Sequence, residues 1–166
     1  MGRRIFDLDL SRCIGCFACV VACNDQHDTQ EEETPSLRRV VRYEDMGTGS
    51  TKFVSVGCMH CEEAPCAAAC PTGAVQRDEE LGLTVVDPSQ CIGCHSCLMA
   101  CPFGAPKFGA DHRMHKCDGC IDRQRVGLAP VCVKTCPSGA LRLREEGEDP
   151  LSKTGLRSLL FPAAGS

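Results

Sequence analysis

The sequence predicts an α+β fold of short strands, short helices and cysteine-bearing loops, and three observations favour it. Cysteine accounts for 16 of the 166 residues and falls into four groups of four along the chain. Aromatic residues make up only 4% of the chain and tryptophan is absent, which leaves little material for an ordinary hydrophobic core. Between the cysteine groups, short apolar segments are separated by turn-forming residues, a pattern typical of short strands.

The cysteine content also restricts the class of protein. Such a density indicates either a disulfide scaffold or metal ligation. Disulfide scaffolds are typical of secreted chains, but residues 1–10 are not followed by the apolar run of a secretory signal. No segment approaches the ~18 apolar residues of a membrane span, so no direct membrane insertion is expected. The formal net charge is −4 without a basic cluster, so no nucleic-acid partner is expected either.

The spacing of the cysteines indicates which metal group they bind. Groups one and three follow the pattern C-x2-C-x2-C-x3-C, which holds [4Fe–4S] clusters in bacterial ferredoxins. Groups two and four are stretched variants of it, and a proline follows the last cysteine in groups two, three and four. Zinc is the alternative, but zinc is typically held by CxxC pairs set well apart. Since no cysteine is left over, the sequence predicts four [4Fe–4S] clusters.

The order of the groups predicts two interleaved bacterial-ferredoxin-like units. Residues 52–110 carry groups two and three and form the predicted inner unit, with a hairpin over residues 74–87. Residues 1–51 together with 111–145 carry groups one and four and form the predicted outer unit. Residues 146–166 are predicted to be a docking tail with an apolar segment at 156–161. The remaining predicted elements are strands at 5–10, 37–43, 51–56 and 140–143, a turn at 46–50 and a solvated acidic loop at 31–33.

In paired ferredoxin motifs, the fourth cysteine of one motif ligates the cluster of the other. We expect this cysteine at the start of a short helix, pointing away from its own loop. The rule predicts four ligand sets, named A to D. Set A is Cys13, Cys16, Cys19 and Cys136; set B is Cys117, Cys120, Cys132 and Cys23; set C is Cys58, Cys61, Cys66 and Cys101; set D is Cys91, Cys94, Cys97 and Cys70.

Other residues are expected to surround the clusters without ligating iron, because the cysteine count is already complete. The glycines within the motifs are expected to let the backbone turn closely round a cluster, and the isoleucines to cover it from water. The histidines are expected near clusters or at a partner surface, and three basic residues could balance cluster charge or form a solvated face. These residues are Gly15, Gly93 and Gly119; Ile14, Ile92 and Ile121; His60, His95, His112 and His115; and Lys107, Arg113 and Lys116.

The chain resembles a known family over about residues 4–145. The resemblance rests on residues 11–16, 58–66, 91–106 and above all on the stretched fourth group at 116–137. It is similar to the four-cluster iron–sulfur subunits of molybdenum and tungsten pterin oxidoreductases, of the dimethyl sulfoxide reductase, polysulfide reductase, formate dehydrogenase and tungsten aldehyde oxidoreductase types. The resemblance implies a large pterin-containing catalytic partner and a further redox subunit. The chain lacks the long C-terminal extension with which many such subunits touch a membrane subunit, so a membrane anchor partner is not expected.

The predicted function is therefore electron transfer and not catalysis. Every iron has a cysteine ligand, so no iron is left open to a substrate. Two alternatives remain at this point: a free-standing polyferredoxin that shuttles electrons, and an accessory protein for hydrogenase or formate dehydrogenase maturation. The expected compartment is the cytoplasm, with the periplasm as the alternative if a signal-bearing partner exports the chain.

Overall fold

A computed structural model describes residues 4–29, 34–44 and 49–145. The predicted acidic loop at 31–33, most of the predicted turn at 46–50 and the predicted tail at 146–166 lie outside these residues. The elements, in chain order, are β1 (Arg4–Leu8), α1 (Ala18–Gln26), β2 (Arg39–Glu44), β3 (Thr51–Val56), α2 (Pro65–Ala68), β4 (Val75–Arg77), β5 (Thr84–Val86), a 3-10 turn (Pro88–Gln90), α3 (Ser96–Ala100), β6 (Lys107–Phe108), β7 (Met114–His115), α4 (Ile121–Arg125), α5 (Val131–Lys134) and β8 (Leu141–Glu145).

The first and last strands pair with each other. β1 and β8 are antiparallel, with Leu8 opposite Leu141 and Phe6 opposite Leu143. Asp9 extends the ladder by donating its backbone N–H to the carbonyl of Ala140 at 2.8 Å. Phe6, Leu8 and Leu141 are buried, so this sheet places one apolar face in the core. The two predicted terminal strands exist within two residues of their predicted bounds.

The other sheets are antiparallel pairs of neighbouring strands: β2 with β3, β4 with β5, and β6 with β7. The first two pairs match predicted strands. In the β4–β5 hairpin, the Asp78 carboxylate accepts a hydrogen bond from the Leu81 backbone at 2.8 Å and closes the turn. The β6–β7 pair was not predicted, since strands of two residues are too short to show an alternating pattern.

The prediction that the fourth cysteine begins a helix is wrong. Cys70, Cys101 and Cys136 follow α2, α3 and α5, and Cys23 lies inside α1. The prolines explain the difference. A residue before proline is forced away from helical backbone angles, so a helix that begins near the third cysteine ends before the fourth. No proline follows Cys23, and α1 accordingly continues to Gln26.

Within the residues that the structure describes, the core consists of three small clusters of buried residues, and each contains cysteines. The largest combines Phe6, Leu8, Val54 and Leu141 with Cys19 and Cys132, among others. The second cluster contains Cys66 and Cys97, and the third contains Cys58 and Cys117. No helix in the described ranges is long and apolar enough to cross a bilayer.

Candidate iron–sulfur cluster sites

The four cysteines of set A line one cavity of about 310 Å³. Three come from the loop before α1 and from α1 itself, and Cys136 comes from the other end of the chain. Burial raises the pKa of the Cys13 thiol, and its neighbours Cys19, Cys136 and Cys16 raise it further. The mutual repulsion shows that these four sulfur atoms share one small space.

The four cysteines of set D line a similar cavity of about 310 Å³ at a different place in the molecule. Cys70 comes from the end of α2, and the other three come from the loop before α3 and from α3 itself. The backbone N–H of Met114 points at the Cys91 sulfur at 3.4 Å. His95 stacks on Phe108 at 3.8 Å between ring centroids and helps to line the cavity.

The loops of these two cavities have the same backbone conformation. Gly15 and Phe17 have φ of 68° and 62°, and Gly93 and His95 have φ of 68° and 63°. Left-handed residues in such a loop turn successive N–H groups inward and create a concave surface suited to anions, including iron–sulfur clusters. The repeat that the cysteine spacing indicates is therefore also a repeat of structure.

In each of these two cavities the fourth cysteine comes from a different part of the chain, and these two cysteines have similar surroundings. Cys70 and Cys136 each precede a Pro-Thr/Ser-Gly-Ala turn. Their sulfurs lie 3.6 Å and 3.7 Å from the hydroxyls of Thr72 and Ser138. Burial opposes ionisation of both thiols, but hydrogen bonds from backbone amides, first of all those of Val75 and Leu141, outweigh it and lower the pKa of both. Each of these cysteines is thus prepared to act as a thiolate ligand.

The four cysteines of set C line a third cavity, of about 350 Å³. Burial raises the pKa of Cys66 to about 11, with additional repulsion from Cys58, Cys101 and Cys61. The backbone N–H groups of His60 and Ala105 point at the sulfurs of Cys58 and Cys101, each at 3.5 Å. Such N–H···S contacts stabilise negative charge on sulfur.

The cysteines of set B are the most buried. Burial raises the pKa of Cys23 to about 12, and the nearby Cys132 and Cys120 add to the shift. Burial also raises the pKa of Cys117, whose sulfur accepts from the Gly119 N–H at 3.4 Å. Three of the four, Cys132, Cys117 and Cys23, are charged neighbours of the Arg38 guanidinium.

The donor chemistry of these sites fits [4Fe–4S] clusters. All sixteen cysteines lie in the described residues and none forms a disulfide. Soft thiolates select iron–sulfur clusters, copper(I) or zinc. The close spacing of three cysteines within the loops of groups one and three and the backbone N–H groups directed at the sulfurs of Cys58, Cys91 and Cys101 suit an iron–sulfur cluster better than a single zinc ion.

The structure changes the expected roles of several neighbouring residues. Ile14 and Ile92 line the cavities of sets A and D and are 62% and 66% exposed, so their role in covering the clusters from water stays a prediction. His60 is fully buried and not at a surface. Its Nδ1 accepts from the Thr84 backbone at 3.1 Å, and its ring stacks on Phe6. His60 therefore packs the inner hairpin against strand β1.

Among the predicted countercharges, Lys116 is buried and lies 3.7 Å from the Cys58 sulfur. Lys107 is half-buried, with Arg39 and Cys101 as its charged neighbours. Arg113 is exposed and donates to the Pro88 carbonyl. His112 is exposed as well, and His115 pairs with Asp111 at 3.0 Å.

Sequence reasoning missed two residues beside the cysteines of set B. Arg38 is one. His27 is the other, with Nε2 at 3.9 Å from the Cys120 sulfur and 3.5 Å from the Asp118 carboxylate. Arg38 directly precedes strand β2, next to Arg39, and no sequence spacing distinguishes one arginine from the other.

Comparison with known proteins shows the family. Two family models, each described as a 4Fe-4S dicluster domain, match residues 50–146 and 12–74. The B subunit of the anaerobic dimethyl sulfoxide reductase of Escherichia coli K12 is 43% identical over 147 residues, which cover 82% of this protein and 70% of the relative. The thiosulfate reductase electron transfer subunit PhsB of Salmonella typhi is 41% identical over 152 residues, covering 87% and 77% respectively.

A third relative is the iron-sulfur subunit of the nitrate-inducible formate dehydrogenase of Escherichia coli K12. It is 35% identical over 158 residues, which cover 85% of this protein and 54% of the relative. All three relatives are named as parts of reductases or dehydrogenases, one as an electron transfer subunit and one as an iron-sulfur subunit, which supports the relay function over a free shuttle or a maturation factor. With sixteen cysteines and two dicluster domains, the protein belongs to the family of 4Fe-4S dicluster electron-transfer subunits and is a non-catalytic carrier of four [4Fe–4S] clusters.

Proposed function

We propose that this chain relays single electrons along clusters A, B, C and D, in that order, between a molybdenum or tungsten pterin catalytic subunit and a second redox partner. The bound clusters supply the one-electron chemistry, and the protein supplies the ligands and their spacing. The observation that carries the proposal is that cysteines of successive sets adjoin one another. Cys19 of set A is a charged neighbour of Cys132 of set B.

The B–C and C–D junctions also bring cysteines of two successive sets together. Cys58 of set C and Cys117 of set B share one small buried cluster, and each lies in the electrostatic range of the other. Cys66 of set C and Cys97 of set D share another. Only this linear order uses all three junctions.

The proposal includes the four ligand sets and two interleaved units, residues 1–51 with 111–145 and residues 52–110. The pairing of β1 with β8 supports the outer unit, because it joins the two chain ends that carry groups one and four. The cavities of sets A and C support cross-ligation, since Cys136 and Cys101 line cavities formed mostly by other groups.

Exposure indicates where partners approach. Cys16 of set A and Cys94 of set D are exposed, whereas all four cysteines of set B are buried. Exposed apolar side chains line the same cavities as both exposed cysteines, with Phe17 beside the first and Ile92 beside the second. Clusters A and D are therefore the terminal ones, and each has a surface suited to a protein partner.

Cysteine variants test the ligand sets. Anoxically purified protein should contain about sixteen iron and sixteen sulfide per chain. Cys70 is the last cysteine of group two in the sequence, but it belongs to ligand set D. The electron paramagnetic resonance spectrum of reduced Cys70→Ala should therefore lack the same signal as that of Cys94→Ala, and differ from that of Cys61→Ala. A spectrum matching Cys61→Ala would refute cross-ligation and leave the cluster count intact.

Co-purification tests the partner. The native complex, isolated anoxically, should contain a large subunit with molybdenum or tungsten. A complex with neither metal would refute the pterin partner without affecting the cluster sites. Fractionation of the source cells would test the cytoplasmic location, which stays a prediction.

A further inference from the structure

We infer that two buried cations, Arg38 at the junction of clusters A and B and Lys116 at the junction of clusters B and C, raise the reduction potentials of these three clusters relative to cluster D. The inference rests on the proposed ligand sets. Among the arginines and lysines of the described ranges, only these two are buried, each with 4% of its surface exposed. Both stand between sets of cysteines.

Arg38 interacts with both sides of the A–B junction, with set A through Ser55 and with set B through its charge. Its Nη1 donates to the Ser55 hydroxyl at 2.9 Å, and that hydroxyl lies 3.3 Å from the Cys19 sulfur. Since arginine has no acceptor, the Ser55 oxygen accepts from Arg38, and its hydrogen is free to point at a Cys19 thiolate. The guanidinium also lies 5.8 Å above the Phe6 ring, which keeps water from one side of it.

On the side of set B, Arg38 is the leading electrostatic partner of three thiols. Its positive charge opposes the effect of burial on the pKa of Cys23, Cys117 and Cys132. Conversely, burial disfavours the charged guanidinium, but the surrounding thiolates outweigh it and raise the pKa of Arg38. Gly57 leaves the necessary space, because a side chain there would meet Nη2 at 2.9 Å.

Lys116 occupies the B–C junction in the same way. Its Nζ lies 3.7 Å from the Cys58 sulfur and donates to the carbonyl of Cys117 at 2.7 Å. It also donates to the Thr84 carbonyl, which fixes the ammonium group in place. One cation thus touches residues of both junction partners, and Cys117 is close to Lys116 and Arg38 together.

The physical consequence follows from charge. Reduction adds one negative charge to a cluster, so a nearby fixed cation stabilises the reduced form and raises the potential. Burial preserves the effect, since salt and water screen buried charges much less than exposed ones. The expected result is a relay in which clusters A, B and C hold electrons more readily than cluster D.

Potentiometric titration of the full chain, followed by electron paramagnetic resonance, tests this inference. Arg38→Gln should lower the potential of cluster B by at least about 59 mV, which is a tenfold change in the ratio of reduced to oxidised cluster for a one-electron couple. The potential of cluster A should fall by less, and the potential of cluster D should not change. Lys116→Gln should lower the potentials of clusters C and B and leave the potential of cluster D unchanged. Arg38→Lys, which retains the charge, should keep most of the potential.

Two further variants keep the test decisive if Arg38→Gln fails to hold iron. Ser55→Ala removes the contact with Cys19 but removes no charge, and it should lower the potential of cluster A alone. Arg42→Gln is the matched control, because Arg42 lies four residues further along, in strand β2, with its side chain 63% exposed, and its loss should shift the potential of no cluster. Full iron content with potentials unchanged in Lys116→Gln and Ser55→Ala would overturn the inference and leave the ligand sets standing. A wrong ligand assignment would instead appear in the cysteine variants.

Discussion

Replacement of Gly93 by alanine should disrupt cluster D far more than the same change at Gly73. Both glycines have φ of +68°, a conformation that costs a residue with a side chain ~1–2 kcal/mol. They differ in their surroundings. A Cβ at Gly93 would lie 2.5 Å from the His112 carbonyl oxygen, whereas a Cβ at Gly73 would meet nothing within 4 Å. Forcing backbone to move in a packed region costs a further ~1–3 kcal/mol.

The expected loss is therefore ~1–2 kcal/mol for Gly73→Ala and ~2–5 kcal/mol for Gly93→Ala, by addition of the two costs. At about 2–4 °C per kcal/mol for a chain of this size, the melting temperatures should differ by at least a few degrees. Gly93 lies between two cysteines of set D, so Gly93→Ala should also lose up to four iron per chain. Anoxic thermal melts and iron assays measure both effects. Equal losses in the two variants would show that the approach to His112 does not exclude a side chain.

Three other perturbations have defined outcomes. Leu141→Ala removes a buried side chain opposite Leu8 and should cost ~2–5 kcal/mol, read as faster hydrogen exchange of the β1 amides. The exposed control Val41→Ala should change stability by less than ~0.5 kcal/mol, and equal exchange in both would contradict the role of the β1–β8 sheet. Chelation of iron should unfold the chain, and iron-free protein with native far-ultraviolet circular dichroism would contradict this. Deletion of residues 146–166 should leave the iron content unchanged and weaken binding of the co-purifying subunit; unchanged binding would argue against a docking tail.

A structural feature can be predicted from the sequence when it arises from a local pattern, and cannot when it depends on contacts between distant parts of the chain. The β4–β5 hairpin and the terminal strands follow from local patterns, and the structure confirms these elements. The predicted helix position is wrong because the helix begins near the third cysteine, and the proline after the fourth cysteine keeps the helix from continuing through it. Lys116 could be suspected because it adjoins Cys117. Arg38 could not, since its burial depends on strand β3 and on cysteines from both chain ends, which no local pattern brings together.

The small size of every element explains why the cysteines dominate both fold and function. A two-stranded sheet alone is marginal in water, and a helix of four to nine residues is not stable by itself. Each of the three buried clusters is completed by cysteine sulfur. Buried thiols ionise reluctantly, as the pKa of Cys23, about 12, illustrates, so iron must supply the energy that keeps them as thiolates. Ligation therefore joins distant parts of the chain, and the same bonds that complete the core fix the distances between successive clusters.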